Sequence, residues 1–110
     1  GGNWTDIPYD LLPKGMQKAR KSDHTMRYGR VRPDGLASTI LTKCDPHWGA
    51  YFHYSQDRSF TVREAARIQS FPDHYVFYGN TAEQFAQVGN AVPPLLAKAI
   101  GLSIINILKQ

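Results

Sequence analysis

Three groups of side chains in this 110-residue chain have the types and spacing to do chemistry. The first is cationic. Lys14, Lys18, Arg20, Lys21, Arg27, Arg30 and Arg32 stand against the lone Asp23, a net charge of +6 over nineteen residues in a chain whose total is +4. Such a stretch suits a polyanion such as DNA, because each phosphate it neutralises releases condensed counterions. A solvated loop would carry the same charges. The candidates for DNA contact are Arg27, Arg30 and Arg32, together with Ser38, Thr39, Thr42 and Lys43. Arginine and lysine reach phosphates or guanine edges, and hydroxyls at a strand end hold phosphate.

The second group is Arg63, Glu64 and Arg67, with the two arginines four apart and so on one helix face. They can hold phosphate, or they can pair with carboxylates and backbone carbonyls and brace what surrounds them. The third is Asn90-Ala91, just ahead of Pro93-Pro94. A short amide and exposed backbone N–H groups before a helix N-terminus can meet a carboxylate, helped by the helix dipole. The same residues also read as a helix stop at Gly89-Asn90 followed by a helix start at the two prolines.

Nucleophiles and metal ligands are scarce. The single cysteine, Cys44, excludes an internal disulfide and a cysteine-rich zinc site, and reads as a small buried thiol. His24, His47, His53 and His74 lack metal-ligand spacing, so no metal is expected.

The element that must position these groups lies in residues 58–73. Thr61 and Glu64 have the spacing of a capping box, in which the hydroxyl accepts from the amide three residues on and the carboxylate reaches back to the first amide. The spacing predicts a helix over 62–69, stopped by Pro72, which cannot continue it and pushes Phe71 toward extended backbone. Ala65 and Ala66 allow close approach on one stripe, while Val62 and Ile68 can pack on another. Thr61, Arg63, Glu64 and Arg67 therefore read as structural organisers, on a helix to which other segments dock.

Around that hub, Trp4 and Ile7 are expected anchors of an irregular start, and Pro13 and Gly15 break a weak helical turn over 10–19. Short strands are predicted over 28–31, 36–42 and 50–54, the first two separated by the turn Arg32-Pro33-Asp34-Gly35. A second helix is predicted from Thr81, with Gln84 repeating the capping spacing, to about Val88, closed by Gly89 in a left-handed cap. Pro93-Pro94 fits the opening of a last helix, on which Leu96, Ile100, Ser103, Ile104, Ile107 and Leu108 form an apolar face.

No apolar run reaches the ~18–20 residues that cross a bilayer, so no membrane is expected, and a soluble intracellular protein is the default. Trp4 near one end and the apolar residues 100–108 near the other read as ends that meet a larger fold or a partner.

Two blocks carry a family resemblance. Gln87-Val88-Gly89-Asn90-Ala91-Val92-Pro93-Pro94, downstream of Arg63-Glu64-Ala65-Ala66-Arg67-Ile68-Gln69-Ser70-Phe71-Pro72-Asp73, closely resembles motifs ten and nine of the DNA (cytosine-5)-methyltransferases. Gly2-Asn3-Trp4 with Ile7-Pro8, and residues 32–40 with Arg58, resemble that family's target-recognition region and its lead into motif nine. The resemblance covers essentially the whole chain. It implies enzymes that flip cytosine out of duplex DNA. A cysteine thiolate adds at ring carbon six, a glutamate assists at the ring nitrogen, and S-adenosylmethionine supplies the methyl for carbon five. It also implies that Asn90 and Ala91 lie beside the methionine end of S-adenosylmethionine, and that motif nine chiefly organises the recognition region.

The departures matter as much. The glycine-rich cofactor block, the Pro-Cys-Gln nucleophile block, the Glu-Asn-Val block and the paired-arginine block are missing, and Cys44 sits in Lys43-Cys44-Asp45-Pro46 with no proline before it. No catalytic residue is therefore assigned.

The expected fold class is an α+β fragment. A small recognition domain of short strands and helices (1–78) is followed by a motif-ten turn and a C-terminal helix (79–110) that belongs to a Rossmann-like large domain. The expected function is that of a C-terminal piece or subunit of a DNA cytosine-5 methyltransferase, inactive alone. Its partners would be double-stranded DNA and a catalytic domain or subunit, with self-association through the last helix as a further option. The setting the resemblance implies is bacterial restriction and modification, in the cytoplasm. The competing reading is a non-catalytic DNA-binding module derived from that fold.

Overall fold

The helix predicted from Thr61 forms with both halves of its cap in place. In the computed structural model, which describes residues 1–20, 22 and 26–110, Thr61 Oγ1 accepts from the Glu64 amide at 3.1 Å, and Glu64 Oε1 accepts from the Thr61 amide at 2.8 Å. Lys21, Asp23 and His24, named above, lie outside the described residues. We number the helices α1 (Lys14–Gln17), α2 (Val62–Ile68), α3 (Thr81–Asn90) and α4 (Pro94–Leu108).

Two units divide the chain: Gly1–Thr39 with Cys44–Phe60, and Ile40–Lys43 with Thr61–Gln110. The first is built almost without regular structure. Asn3 and Asp6 make a capping box on a 3-10 turn, Trp4–Asp6, which buries Trp4. The Trp4 amide donates to the Arg27 carbonyl, and the Arg30 amide to that of Gly2. Pro13 does not break a helix but caps one, since its fixed φ suits the residue just before the single turn of α1. Trp4, Met16, Cys44, Ala50, Tyr51 and Phe60 are the buried apolar residues of this unit.

The strands expected over 28–31, 36–42 and 50–54 do not form. Among the described residues the only β pairing is a pair of isolated bridges, both made by Phe52: parallel to Arg30 and antiparallel to Ser59. β-Branched composition at 36–42 has no ladder to join, because the backbone of this stretch finds no neighbouring strand. Extended backbone becomes a strand only where an adjacent strand takes up its N–H and C=O groups.

The second unit is helical. Ala65 and Ala66, both fully buried, let α3 approach α2 closely. The residue that caps α3 is Asn80, whose Oδ1 accepts from the Glu83 amide at 2.9 Å, so the helix begins one residue before the predicted cap had placed it. Gly89 lies inside α3, which runs to Asn90 and ends in extended backbone at Ala91 rather than in a left-handed cap. The reason is packing: a Cβ at Gly89 would stand 2.6 Å from the Leu41 carbonyl carbon and the Thr42 Cα. Glycine here serves close approach of two backbones. It is α2 that is followed by a left-handed residue, Ser70, φ 66°, just past the C-cap Gln69.

α4 has no buried residue. Residues 81–108 together are long and apolar enough by composition to cross a membrane, but extended backbone at Ala91 and Pro93 breaks them into two helices. The fifteen residues of α4 span about 22 Å, short of the ~30 Å hydrocarbon core.

Candidate functional site

The end of α2 and the turn between α3 and α4 are joined directly. Gln69 Nε2 donates to the Val88 carbonyl at 3.0 Å and to the Ala91 carbonyl at 3.3 Å. The adjacent Ser70 Oγ accepts from the Leu95 amide at 3.1 Å, satisfying one of the N–H groups left open at the start of α4. The left-handed backbone at Ser70 accompanies this reach, so the end of α2 holds both sides of the turn between α3 and α4. Neither residue stood out in the sequence. The only signal was a primary amide and a hydroxyl directly after the last helical residue, where the chain must turn.

At the turn itself the donors divide cleanly. The Ala91 amide goes to the Val88 carbonyl, the Leu95 amide to Ser70, and Pro93 and Pro94 have none. The Asn90 side chain, which is exposed, and the Val92 amide make no hydrogen bond among the described residues. An amide side chain and a backbone N–H beside a helix start are donors of the kind that anions accept from.

The arginines of α2 are spent on their own unit. Arg63 donates to the Tyr75 carbonyl at 2.6 Å and the Pro72 carbonyl at 3.4 Å, with its guanidinium 5.5 Å from the centre of the Phe77 ring. Arg67 makes a two-bond fork with Asp73, at 2.8 and 2.9 Å. That fork holds the Asp73 carboxyl below its ordinary range. Phe71, Tyr75 and Phe77 pack ring against ring beneath these contacts. The loop after α2 is thus fastened back onto it.

The residues proposed for DNA contact are drawn from both units. Arg27, Arg30, Arg32, Ser38 and Thr39 belong to the first unit, Thr42 and Lys43 to the second. Arg30 is committed internally: it donates to the His53 and Gln56 carbonyls at 2.6 and 2.7 Å and to Asp57 at 2.8 Å. Arg27 lies over the half-exposed Trp48 ring, 4.8 Å from its centre. His47 meets the same ring edge-on and takes a 2.9 Å hydrogen bond from or to Tyr28. Arg32, Thr39, Thr42 and Lys43 are exposed. The Ser38 hydroxyl is buried and has no partner. Trp48, as an exposed aromatic under a guanidinium, is a surface feature the sequence reading passed over.

Cys44 is 4% exposed, and burial pushes its thiol up to about 11. At neutral pH it is a thiol and not the thiolate that attacks. Among the described residues no three metal-ligating side chains gather.

Comparison with known proteins fixes the family. The family model described as C-5 cytosine-specific DNA methylase matches residues 4–106. The chain belongs to that family. It is 53% identical over 79 residues to DNA (cytosine-5)-methyltransferase 1 of Mus musculus, covering 70% of this chain and 5% of that protein. Against the type II methyltransferase M1.HphI of Haemophilus parahaemolyticus it is 42% identical over 106 residues, covering 96% of this chain and 26% of that protein. DNA (cytosine-5)-methyltransferase 3 of Arabidopsis thaliana is 39% identical over 115 residues, 92% of this chain and 8% of that protein. The chain therefore spans between a twentieth and about a quarter of the length of these relatives. Within the cytosine-5 methylase match fall α2, the α3–α4 turn and both arginine-bearing segments.

Proposed function

We propose that this chain is the C-terminal, DNA-recognising part of a DNA cytosine-5 methyltransferase. In this reading it completes the methyl-donor pocket and does no chemistry until joined with a catalytic portion. The observation that carries the reading is the turn between α3 and α4, held by Gln69 and Ser70 with the Asn90 amide left open. A pure DNA binder has no use for such a turn.

S-Adenosylmethionine, when bound, supplies an electrophilic methyl group. Toward it this chain's own work would be limited to holding: the Asn90 side chain and the Val92 amide would supply donors for its carboxylate, with Ala91 beside them in the turn. On the DNA, Arg32, Thr39, Thr42 and Lys43, exposed and free of the internal bonds that occupy Arg30, touch phosphates. Arg27 is held over Trp48 at the edge of the same unit. α4, with aliphatic side chains open on every side, packs on a Rossmann-like catalytic portion. A helix that is apolar all round belongs inside a larger structure. The buried, protonated Cys44 leaves the attacking thiolate to that portion. The 42% identity to M1.HphI supports a setting of restriction and modification.

The test is reconstitution. The chain is mixed with a catalytic portion of the family, duplex DNA and S-adenosylmethionine carrying a labelled methyl group. Label should enter DNA only when both polypeptides are present. Transfer by the chain alone, or none by the mixture, would overturn the reading, and the second outcome would favour the non-catalytic DNA-binding module.

A further inference from the structure

The end of α2 offers a device that reaches beyond DNA recognition. A single side-chain amide, Gln69 Nε2, holds two carbonyls that lie on either side of Asn90, those of Val88 and Ala91. One residue on, the Ser70 hydroxyl takes the Leu95 amide, the first donor of α4 after two prolines. Between these anchors lie Asn90, Ala91, Val92, Pro93 and Pro94, and no other side chain of the unit is hydrogen-bonded to that backbone among the described residues. Ser70 accepts a left-handed backbone to reach its place, a conformation that serine adopts at a cost and glycine without one.

We propose that Gln69 and Ser70 are positioning residues for the methyl donor. They set the Asn90–Val92 turn from the motif-nine side, so that the helix organising DNA recognition also sets how tightly S-adenosylmethionine is held. This rests on the proposed function above, since it needs Asn90 to face that cofactor. Neither residue touches the cofactor. Both act through the backbone they pin, as a tether acts on the piece it ties.

The substitutions separate hydrogen bonding from packing. Gln69→Glu keeps the shape of the side chain but turns the donor into an acceptor facing two carbonyls. Ser70→Gly removes the hydroxyl while easing the left-handed backbone, so loss of the cap is not confounded with strain. Ser70→Asn is the rescue variant, since asparagine tolerates left-handed backbone and restores a side-chain oxygen as acceptor. Each is made in the polypeptide combined with its catalytic portion. S-Adenosylmethionine affinity is measured by calorimetric titration, DNA affinity by anisotropy, and KM for each substrate alongside kcat.

Loss of one or two hydrogen bonds at the tether predicts S-adenosylmethionine binding weakened about tenfold in Gln69→Glu and about fivefold in Ser70→Gly. DNA affinity should stay within about twofold, and Ser70→Asn should recover cofactor binding relative to Ser70→Gly. Unchanged cofactor affinity in variants of a wild type that binds it would overturn the inference and leave the proposed function standing. Equal weakening toward cofactor and DNA would also overturn it, since a merely structural role loosens both. A wild-type assembly that binds no S-adenosylmethionine would remove the proposed function first, and the inference with it.

Discussion

Gly89 and Leu41 meet backbone to backbone: a Cβ added to the glycine would stand 2.6 Å from both the carbonyl carbon and the carbonyl oxygen of Leu41. Neither group is the end of a flexible side chain, so neither can swing aside. Gly89→Ala should therefore destabilise the chain by about 1–3 kcal/mol, the range for forced overpacking, despite alanine's better helix propensity. Gly101, inside α4 with open space around its Cα, is the matched control. Gly101→Ala should stabilise by roughly 0.5–1 kcal/mol. Chemical denaturation of the two variants should give shifts of opposite sign.

The reciprocal cap of α2 predicts a local loss. Thr61→Ala removes the oxygen that accepts from the Glu64 amide, and caps of this kind contribute about 0.5–2 kcal/mol. Amide exchange in the first turn of α2 should quicken in this variant, while the amides of α4 keep their wild-type rates.

Arg67 and Asp73 predict a dependence on acid. The hydrogen-bonded guanidinium holds the Asp73 carboxyl below its ordinary value of 3.8. A carboxyl whose folded value is depressed adds stability that is full above the ordinary value and is lost as pH falls through the lowered one. Both side chains are well exposed, so the contribution is small. In an NMR titration the Asp73 carboxyl carbon should change state below pH 3.8, and in Arg67→Gln its midpoint should move upward.

Two neighbouring arginines should part company when tested for DNA binding. Arg30 is enclosed by His53, Gln56 and Asp57, so Arg30→Ala should lower the melting temperature. Arg32 is exposed, and Arg32→Ala should leave melting unchanged. Its DNA affinity should fall with a salt slope shallower by about 0.9, the value for one phosphate contact. A lowered melting point in Arg32→Ala, with no change in slope, would count against that contact.

Cys44 should be slow to react. Its thiol is buried and pushed up to about 11, so modification by iodoacetamide at pH 8 should be far slower than that of a free thiol and should speed up on unfolding. In the reconstitution proposed above, Cys44→Ala should leave label transfer at the level of the unsubstituted chain.

Local chemistry was legible in the sequence, and long-range geometry was not. The capping box at Thr61 and Glu64 is a property of four consecutive residues, and it formed as read. Gly89 shows the limit: an isolated glycine near a helix end reads as a stop, and only the approach of Leu41, forty-eight residues earlier, gives it another purpose. The strands failed for the same reason. β-Branched residues at 36–42 state a preference, but whether a neighbour exists to pair with is decided elsewhere in the chain. Gln69 was unreadable as a tether because nothing in its own neighbourhood reveals that two carbonyls nineteen and twenty-two positions onward come within reach. The family blocks were legible because they are runs of residue types, which survive without coordinates.

α4 carries one last implication. Leu95, Leu96, Ile100, Leu102, Ile104, Ile105, Ile107 and Leu108 all meet water, the first at 66% and the last at 79% exposure. Since each is already partly covered, completing its burial would add roughly 1–2 kcal/mol. A surface of this kind is what molecular chaperones grip and what proteolytic quality control removes. With α4 left unshielded, the polypeptide would be short-lived in a cell.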